Sequence, residues 1–264
     1  MSLRRVRALV LRYLWLYTRT APRALEMFFW PVMDLLVWGL VTRYLLSAPF
    51  GVPNLIKFLI GAMIFWDILY RAQQGVTLSF LEDVWSRNLI NLFVAPITLG
   101  EFTAATCIVG LIRIGATFFV LAALAQILYA FNIFMLGLSL IPFFVNLLLM
   151  GWALGMITTG LIIRYGQAAE ALAWGVPFFV QPFCAVFYPV ETLPAWIRPF
   201  SEAIPATHVF EGMRAVIAGK GMDWGALAGA YGLAALYLLG AAWFFGRMFR
   251  SAREKGLLAK LGTQ

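Results

Sequence analysis

Six stretches of roughly twenty or more mostly apolar residues recur along this 264-residue chain, and they leave few folds open. A helix of about twenty residues crosses roughly 30 Å of hydrocarbon and satisfies its own backbone hydrogen bonds there. The stretches lack the strict alternation of barrel strands, so the expected fold class is an all-α integral membrane protein. They place six transmembrane helices at about residues 28–46, 55–81, 102–128, 133–163, 168–187 and 224–249. Hydrophobic residues make up 62% of the chain and charged ones 12%, more apolar side chain than a globular core of this size needs.

A net charge of +8 would suggest nucleic acid for a soluble protein, but membrane topology accounts for it here and no nucleic acid partner is expected. Residues 1–27 carry Arg4, Arg5, Arg7, Arg12, Arg19 and Arg23, while Leu3, Val6, Val10, Tyr13, Leu14 and Tyr17 recur at helical spacing. The pattern predicts a basic amphipathic helix at the membrane interface, which binds anionic lipid, packs on the bundle, or does both. It is not a signal peptide, which would place a continuous apolar core after its first arginines. The remainder, 28–264, reads as one transmembrane domain. An even number of spans leaves both termini on one side with Arg87, Arg164, Arg247, Arg250, Arg253, Lys255 and Lys260, whereas Arg198, Arg214 and Lys220 lie opposite. By the positive-inside rule both termini are cytoplasmic.

Between the second and third spans, Leu81, Val84, Trp85, Leu89 and Leu92 share a helical face, Asp83 and Arg87 are four apart for an ion pair, and Pro96 ends the helix. This predicts a short cytoplasmic helix at about 82–95, either lying at the lipid interface or docking into a groove on a cytoplasmic partner. At membrane depth, Asp34, Asp67, Arg71, Arg113 and Glu170 are costly to insert and need partners. Asp67 and Arg71 are spaced to pair, Asp34 is one candidate partner for Arg113, and structural pairing accounts for these charges better than a proton relay.

Little in the chain supports catalysis. His208 is the only histidine, the two cysteines (Cys107 and Cys184) lie in apolar stretches, and neither residue type falls in a metal-ligand pattern. Ala218-Gly219-Lys220-Gly221 fails as a phosphate loop, because Arg214 stands where glycine is needed and Gly221 where Ser or Thr is. No cofactor is expected on this chain; an ATPase driving it would be a separate polypeptide.

Two motifs resemble the permeases of type-2 ATP-binding-cassette exporters. One is Glu82 followed by Asn88-Leu89-Ile90-Asn91-Leu92-Phe93-Val94-Ala95-Pro96-Ile97-Thr98 and Glu101; the other is Tyr188-Pro189, Leu193-Pro194-Ala195-Trp196, Pro205 and Glu211-Gly212-Met213-Arg214. The resemblance covers nearly the whole chain. It implies a homodimer or pseudo-dimer of permeases and two ATPase subunits that bind ATP and Mg, in a bacterial inner membrane. It further implies that Glu82, Asp83, Val84, Trp85, Arg87 and Asn88 form the coupling helix, that Arg164 to Gln167 make a shorter ATPase contact, and that the first, second and fifth spans border the pathway. Phe178, Phe179, Phe183 and Phe187 then either constrict the pathway near its outer end or pack against lipid.

Residues 188–220 face outward under this topology and break the apolar rule with Pro189, Pro194 and Pro205. Pro194 and Pro205 are each expected to start a short helix, with Trp196 and Phe200 at the lipid boundary, giving a re-entrant helical hairpin. Glu202, Glu211 and Arg214 are then gate contacts or surface ion pairs. The substrate class stays open among glycans, lipid-linked molecules and drugs, carried across by ATP-driven export; an ion-gradient-driven carrier is the alternative. A membrane-embedded enzyme is disfavoured by the lack of a clustered catalytic constellation.

Overall fold

The computed structural model describes residues 1–19, 21–47 and 54–258, and every regular element among them is helical. In chain order these are α1 (Leu3–Arg19), α2 (Ala21–Ser47), α3 (Leu55–Trp85), α4 (Leu89–Val94), α5 (Leu99–Tyr129), α6 (Leu140–Tyr165), α7 (Leu172–Val180), α8 (Arg198–Glu202), α9 (Pro205–Ile217) and α10 (Trp224–Glu254). Short 3₁₀ segments at Ile133–Ser139, Gly166–Ala169, Gln181–Cys184 and Val190–Thr192 join several of them.

Among the described residues, four helical segments are long and apolar enough to cross a membrane: Ala24–Leu46, Leu99–Tyr129, Ile133–Tyr165 and Trp224–Glu254. The chain is thus a multi-pass, all-α membrane protein. Helix α3 matches them in length, at about 46 Å for its 31 residues, but Lys57, Asp67, Arg71, Glu82 and Asp83 interrupt its apolar character. Those residues are tolerated because α3 is the central helix, packed against α2, α5, α6, α7 and α9. Helix α10 packs on α6.

Small residues let the central helices approach closely. A Cβ placed on Gly75 of α3 would lie 2.8 Å from the Gly110 Cα of α5. On the other flank, a Cβ on Gly151 of α6 would lie 2.6 Å from the Leu69 carbonyl, and one on Gly155 would lie 2.8 Å from the Gln73 carbonyl. Close backbone approach of this kind is how helices associate where lipid supplies no hydrophobic drive.

The expected fifth span at 168–187 is not one helix. It comprises the Gly166–Ala169 turn, the nine-residue α7 and the Gln181–Cys184 turn, and closes at Ala185 in a left-handed conformation (φ 50°). Pro177 is part of the reason, since it has no N–H to give the Ala173 carbonyl one turn earlier. That carbonyl accepts from Gln73 Nε2 of α3 at 3.2 Å instead.

The N-terminal region also divides earlier than expected. Helix α1 ends at Arg19 and α2 begins at Ala21, so residues 21–27 belong to the α2 helix rather than to one interfacial helix over 1–27.

In the 188–220 stretch, Pro205 opens α9, but Pro194 does not open a helix. Pro194 sits in a turn closed by the Ile197 amide at 2.9 Å, and Pro199 occupies the first turn of α8. Helix α9 buries Val209, Phe210 and Met213 against α3, α6 and α10.

Candidate functional site

The α3–α4 turn brings together most of the residues singled out after the second span, in a different form from one helix over 82–95. Glu82, Asp83, Val84 and Trp85 are the last turn of α3. The Asn88 amide bonds the Asp83 carbonyl and the Arg87 amide the Val84 carbonyl, both at 2.9 Å, with Arg87 left-handed at φ 54°. This is the Schellman arrangement that terminates helices, usually around glycine. It stops α3 at Trp85 and re-aims the chain, so only Leu89–Val94 forms the following helix. Ala95 is extended at the residue before Pro96, where the proline ring disfavours helix.

Asp83 does not pair with Arg87. Its side chain is 1% exposed and accepts from the Tyr13 hydroxyl and from Arg12, both on α1. Tyr13 is itself fully buried; burial, then the Asp83 charge and hydrogen bond, push its phenol above the usual range. Tyr17 donates to Glu82 at 2.7 Å. Arg113 of α5 donates to the Tyr17 hydroxyl at 2.8 Å and lies over its ring at 4.4 Å, so its partner is Tyr17 rather than Asp34.

At the start of α5, Thr98 and Glu101 form a capping box, and Glu101 also accepts from the Ser2 amide at 2.6 Å and from Arg5 at 3.2 Å. Arg5 further donates to the Pro96 carbonyl. Two of the five arginines of α1, Arg5 and Arg12, thus pair with protein carboxylates, while Val6, Leu9 and Tyr13 bury its apolar face. Arg12, Tyr13, Tyr17 and Glu101 were missed as contributors from the sequence, although Thr98-x-x-Glu101 carries the capping-box signature.

Leu81, Val84, Leu89 and Leu92 are buried within the chain, which removes them from any external groove. The surface they leave is Trp85, half exposed, with Arg87, Asn91 and Val94. Asn88 is half-buried beside this surface, where it lines a cleft of about 400 Å³ with Arg5, Leu9, Arg12, Leu92 and Pro96. The Trp85 indole donates to Glu170 at 2.9 Å and stacks on Trp174 at 6.5 Å, which ties the turn to the start of α7. Arg164 is exposed at the end of α6 and Gln167 lies in the Gly166–Ala169 turn; the Gln167 side chain is outside the described residues.

A second group lies along α3, against which α2 and α7 each pack. Arg71 Nε bridges both Asp67 carboxylate oxygens at 2.8–2.9 Å, and the pair is buried. Asp34 is exposed on α2 within electrostatic reach of Arg71 and Asp67, and Tyr70 feels all three charges. The Tyr70 ring contacts Phe178 at 5.5 Å. Phe178 and Phe179 are exposed, Phe179 packs on Phe183 at 5.6 Å, Phe183 on Phe200 at 5.3 Å, and Phe187 stacks on Trp38 at 4.2 Å.

At the opposite end from the α3–α4 turn, Glu211 and Arg214 pair at 2.7 Å. Glu211 accepts from the Val190 amide at 2.8 Å, and Arg214 donates to the Ala185 carbonyl at 2.8 Å and lies over the Phe58 ring. Together they clamp α9 to the chain that leaves α7. Glu202 is exposed at the end of α8, where its carbonyl meets His208 at 2.8 Å. Among the described residues no three His, Cys, Asp or Glu side chains are grouped to hold a metal.

The family model described as ABC-2 type transporter matches residues 4–218. No curated relative matches the chain.

Proposed function

The chain belongs to the ABC-2 type transporter family as a membrane-spanning permease subunit, and from that premise we propose that it is one half of an ATP-driven exporter. Two copies would enclose the pathway, and two ABC ATPase subunits, which bind the ATP and Mg, would sit beneath the α3–α4 turn. Six spans, with α3 and the α7 region joining the four strongly apolar ones, put both termini in the cytoplasm of a bacterial inner membrane. The substrate is an amphipathic, lipid-linked, glycan or drug molecule moved outward from the cytoplasm or inner leaflet.

One observation carries the coupling assignment. The turn with Trp85 and Arg87 exposed and Asn88 half-buried is held by buried bonds to α1 and by Glu170 at the start of α7, so a force on it reaches several helices without first unfolding the turn. Arg164 and Gln167 would supply the smaller second contact. On the outer side, Phe178, Phe179, Phe183 and Phe187 narrow the exit, and the hairpin at 190–217, fastened through Glu211 and Arg214 and ending α8 at Glu202, re-enters beside it as a gate.

The test is reconstitution with the cognate ATPase. Trp85→Ala lowers substrate-stimulated ATP hydrolysis and transport together by about tenfold, the scale of losing a tryptophan at the centre of an interface. Transport by the chain alone, driven in liposomes by a proton gradient, would sink the proposal in favour of a secondary carrier.

A further inference from the structure

We propose that the cavity between the C-terminal ends of α6 and α10 holds the phosphate of an anionic phospholipid, a site that does not depend on the exporter reading above. The cavity measures about 230 Å³ and is lined by Arg164 and Tyr165 of α6, by Met248 and Ser251 of α10, and by Lys255 and Leu257 just after α10. Gly256 takes a left-handed conformation at φ 67°, and the chain turns there so that Leu257 comes back to the cavity. Ala252, buried at its edge, belongs to the same apolar cluster as Val84 and Leu89, which puts the cavity at the end of the bundle that carries the α3–α4 turn.

The cavity is cationic. Arg164 and Lys255 are both exposed, and neither pairs with a carboxylate among the described residues. Arg164 lies over the Tyr165 ring at 5.6 Å, which orients the guanidinium and leaves its charge in place. None of the described residues that line the cavity is acidic, and Glu254, beside Lys255 in the chain, is exposed and does not line it. A single base at a helix end answers to the carbonyl end of the helix dipole. Two bases from different helices around one cavity give, in addition, a place where one anion meets both, and the Ser251 hydroxyl adds a rotatable donor beside them.

Its depth suits a lipid headgroup. Trp224 and Trp243 are both exposed on α10 and stand 19 residues apart, about 28 Å along the axis, close to the roughly 30 Å of hydrocarbon that interfacial tryptophans bracket. Met248 lies five residues beyond Trp243, about 7 Å, and the headgroup layer adds about 5–7 Å on each side. Side chains lean toward the N-terminus of their helix, so Arg164 and Ser251 tilt back toward the bilayer. Met248, Leu257 and the Tyr165 ring put apolar surface beside the cations, which a lipid uses and a bare phosphate ion does not. Basic pockets between membrane helices select anionic headgroups in this way, whereas a zwitterionic one brings an ammonium toward two unpaired cations. The exposed Arg247, Arg250 and Arg253 add to the positive potential around the opening.

Native mass spectrometry of the full chain in uncharged detergent counts bound lipids one at a time. With dioctanoyl phosphatidylglycerol and dioctanoyl phosphatidylcholine at equal concentration, the wild type takes phosphatidylglycerol first. Arg164→Gln combined with Lys255→Gln lowers that preference by about thirtyfold, roughly fivefold for each cation near a headgroup, and Arg164→Lys retains it. Arg4→Gln combined with Arg7→Gln, which removes two exposed cations from α1, leaves the preference within about twofold of wild type. Arg164 and Lys255 are exposed, so an unchanged elution volume verifies the fold; should the double variant misfold, each single substitution carries its own loss of about fivefold. An unchanged preference, or an equal loss in the α1 variant, overturns the inference. Displacement of the lipid by glycerol 3-phosphate at the same concentration overturns it in favour of a soluble phosphate. Weaker binding of the cognate ATPase by the double variant, with the lipid preference intact, overturns it in favour of a carboxylate on that partner.

Discussion

The Asp83 carboxylate gives the sharpest test of how the α3–α4 turn is held. Asp83→Ala removes the acceptor for the Tyr13 hydroxyl and for Arg12 at once. Tyr13 is 0% exposed, so its hydroxyl has no water to turn to, and an unmade buried hydrogen bond costs about 1–3 kcal/mol. The Arg12 side chain is 32% exposed and re-solvates, which limits its share to about 1 kcal/mol or less. The docking of α1 therefore weakens by roughly 1–4 kcal/mol, and the midpoint corresponds to a rise of about sixtyfold in the population with α1 detached. Hydrogen–deuterium exchange reads this directly: amides of residues 3–19 lose about two decades of protection, while those of α6 keep theirs and show the bundle intact. Tyr13→Phe in the Asp83→Ala background restores part of the loss, because it removes the stranded hydroxyl. Exchange in α1 that stays within about twofold of wild type would refute the argument and assign the docking to Val6 and Leu9 alone.

Two further outcomes follow from the same region. Arg87→Gly relieves the left-handed conformation of a residue with a Cβ and stabilises the solubilised protein by about 1 kcal/mol, read as a higher melting temperature, yet it lowers ATPase stimulation if Arg87 contacts the ATPase. Because the docked Tyr13 phenol titrates above its ordinary value near pH 10, the stability it contributes is full below that pH and is lost as pH rises further; the melting temperature falls above pH 10 more steeply in wild type than in Tyr13→Phe.

The apolar stretches made the membrane class and the long helices legible, because period and length are local properties of the chain. The proline that opens α9 and the capping box at the start of α5 were readable for the same reason. Partnerships across the fold were not. Asp83 meets Arg12 and Tyr13 across about seventy residues, and Arg113 meets Tyr17 across 96, distances over which spacing along one helix says nothing. Spacing instead suggested Asp83–Arg87, which the Schellman turn forbids by rotating Arg87 off the helix. An arginine in a left-handed position gives no local cue, as a glycine would have. The break in the fifth apolar stretch had a visible cue in Pro177, but the donor that makes it tolerable, Gln73, is a hundred residues away.

Helix α3 runs without a break from Leu55 to Trp85 and contains no proline. Asp67 and Asp83 are 16 residues apart on it, about 24 Å along a stiff axis. The seam of glycines that locks α3 against α5 and α6 removes room for it to slide independently. In mechanical terms α3 is a rigid strut with its bearing at Gly75, so a displacement at Trp85 and one at the Asp67–Arg71 pair are movements of the same unbroken part.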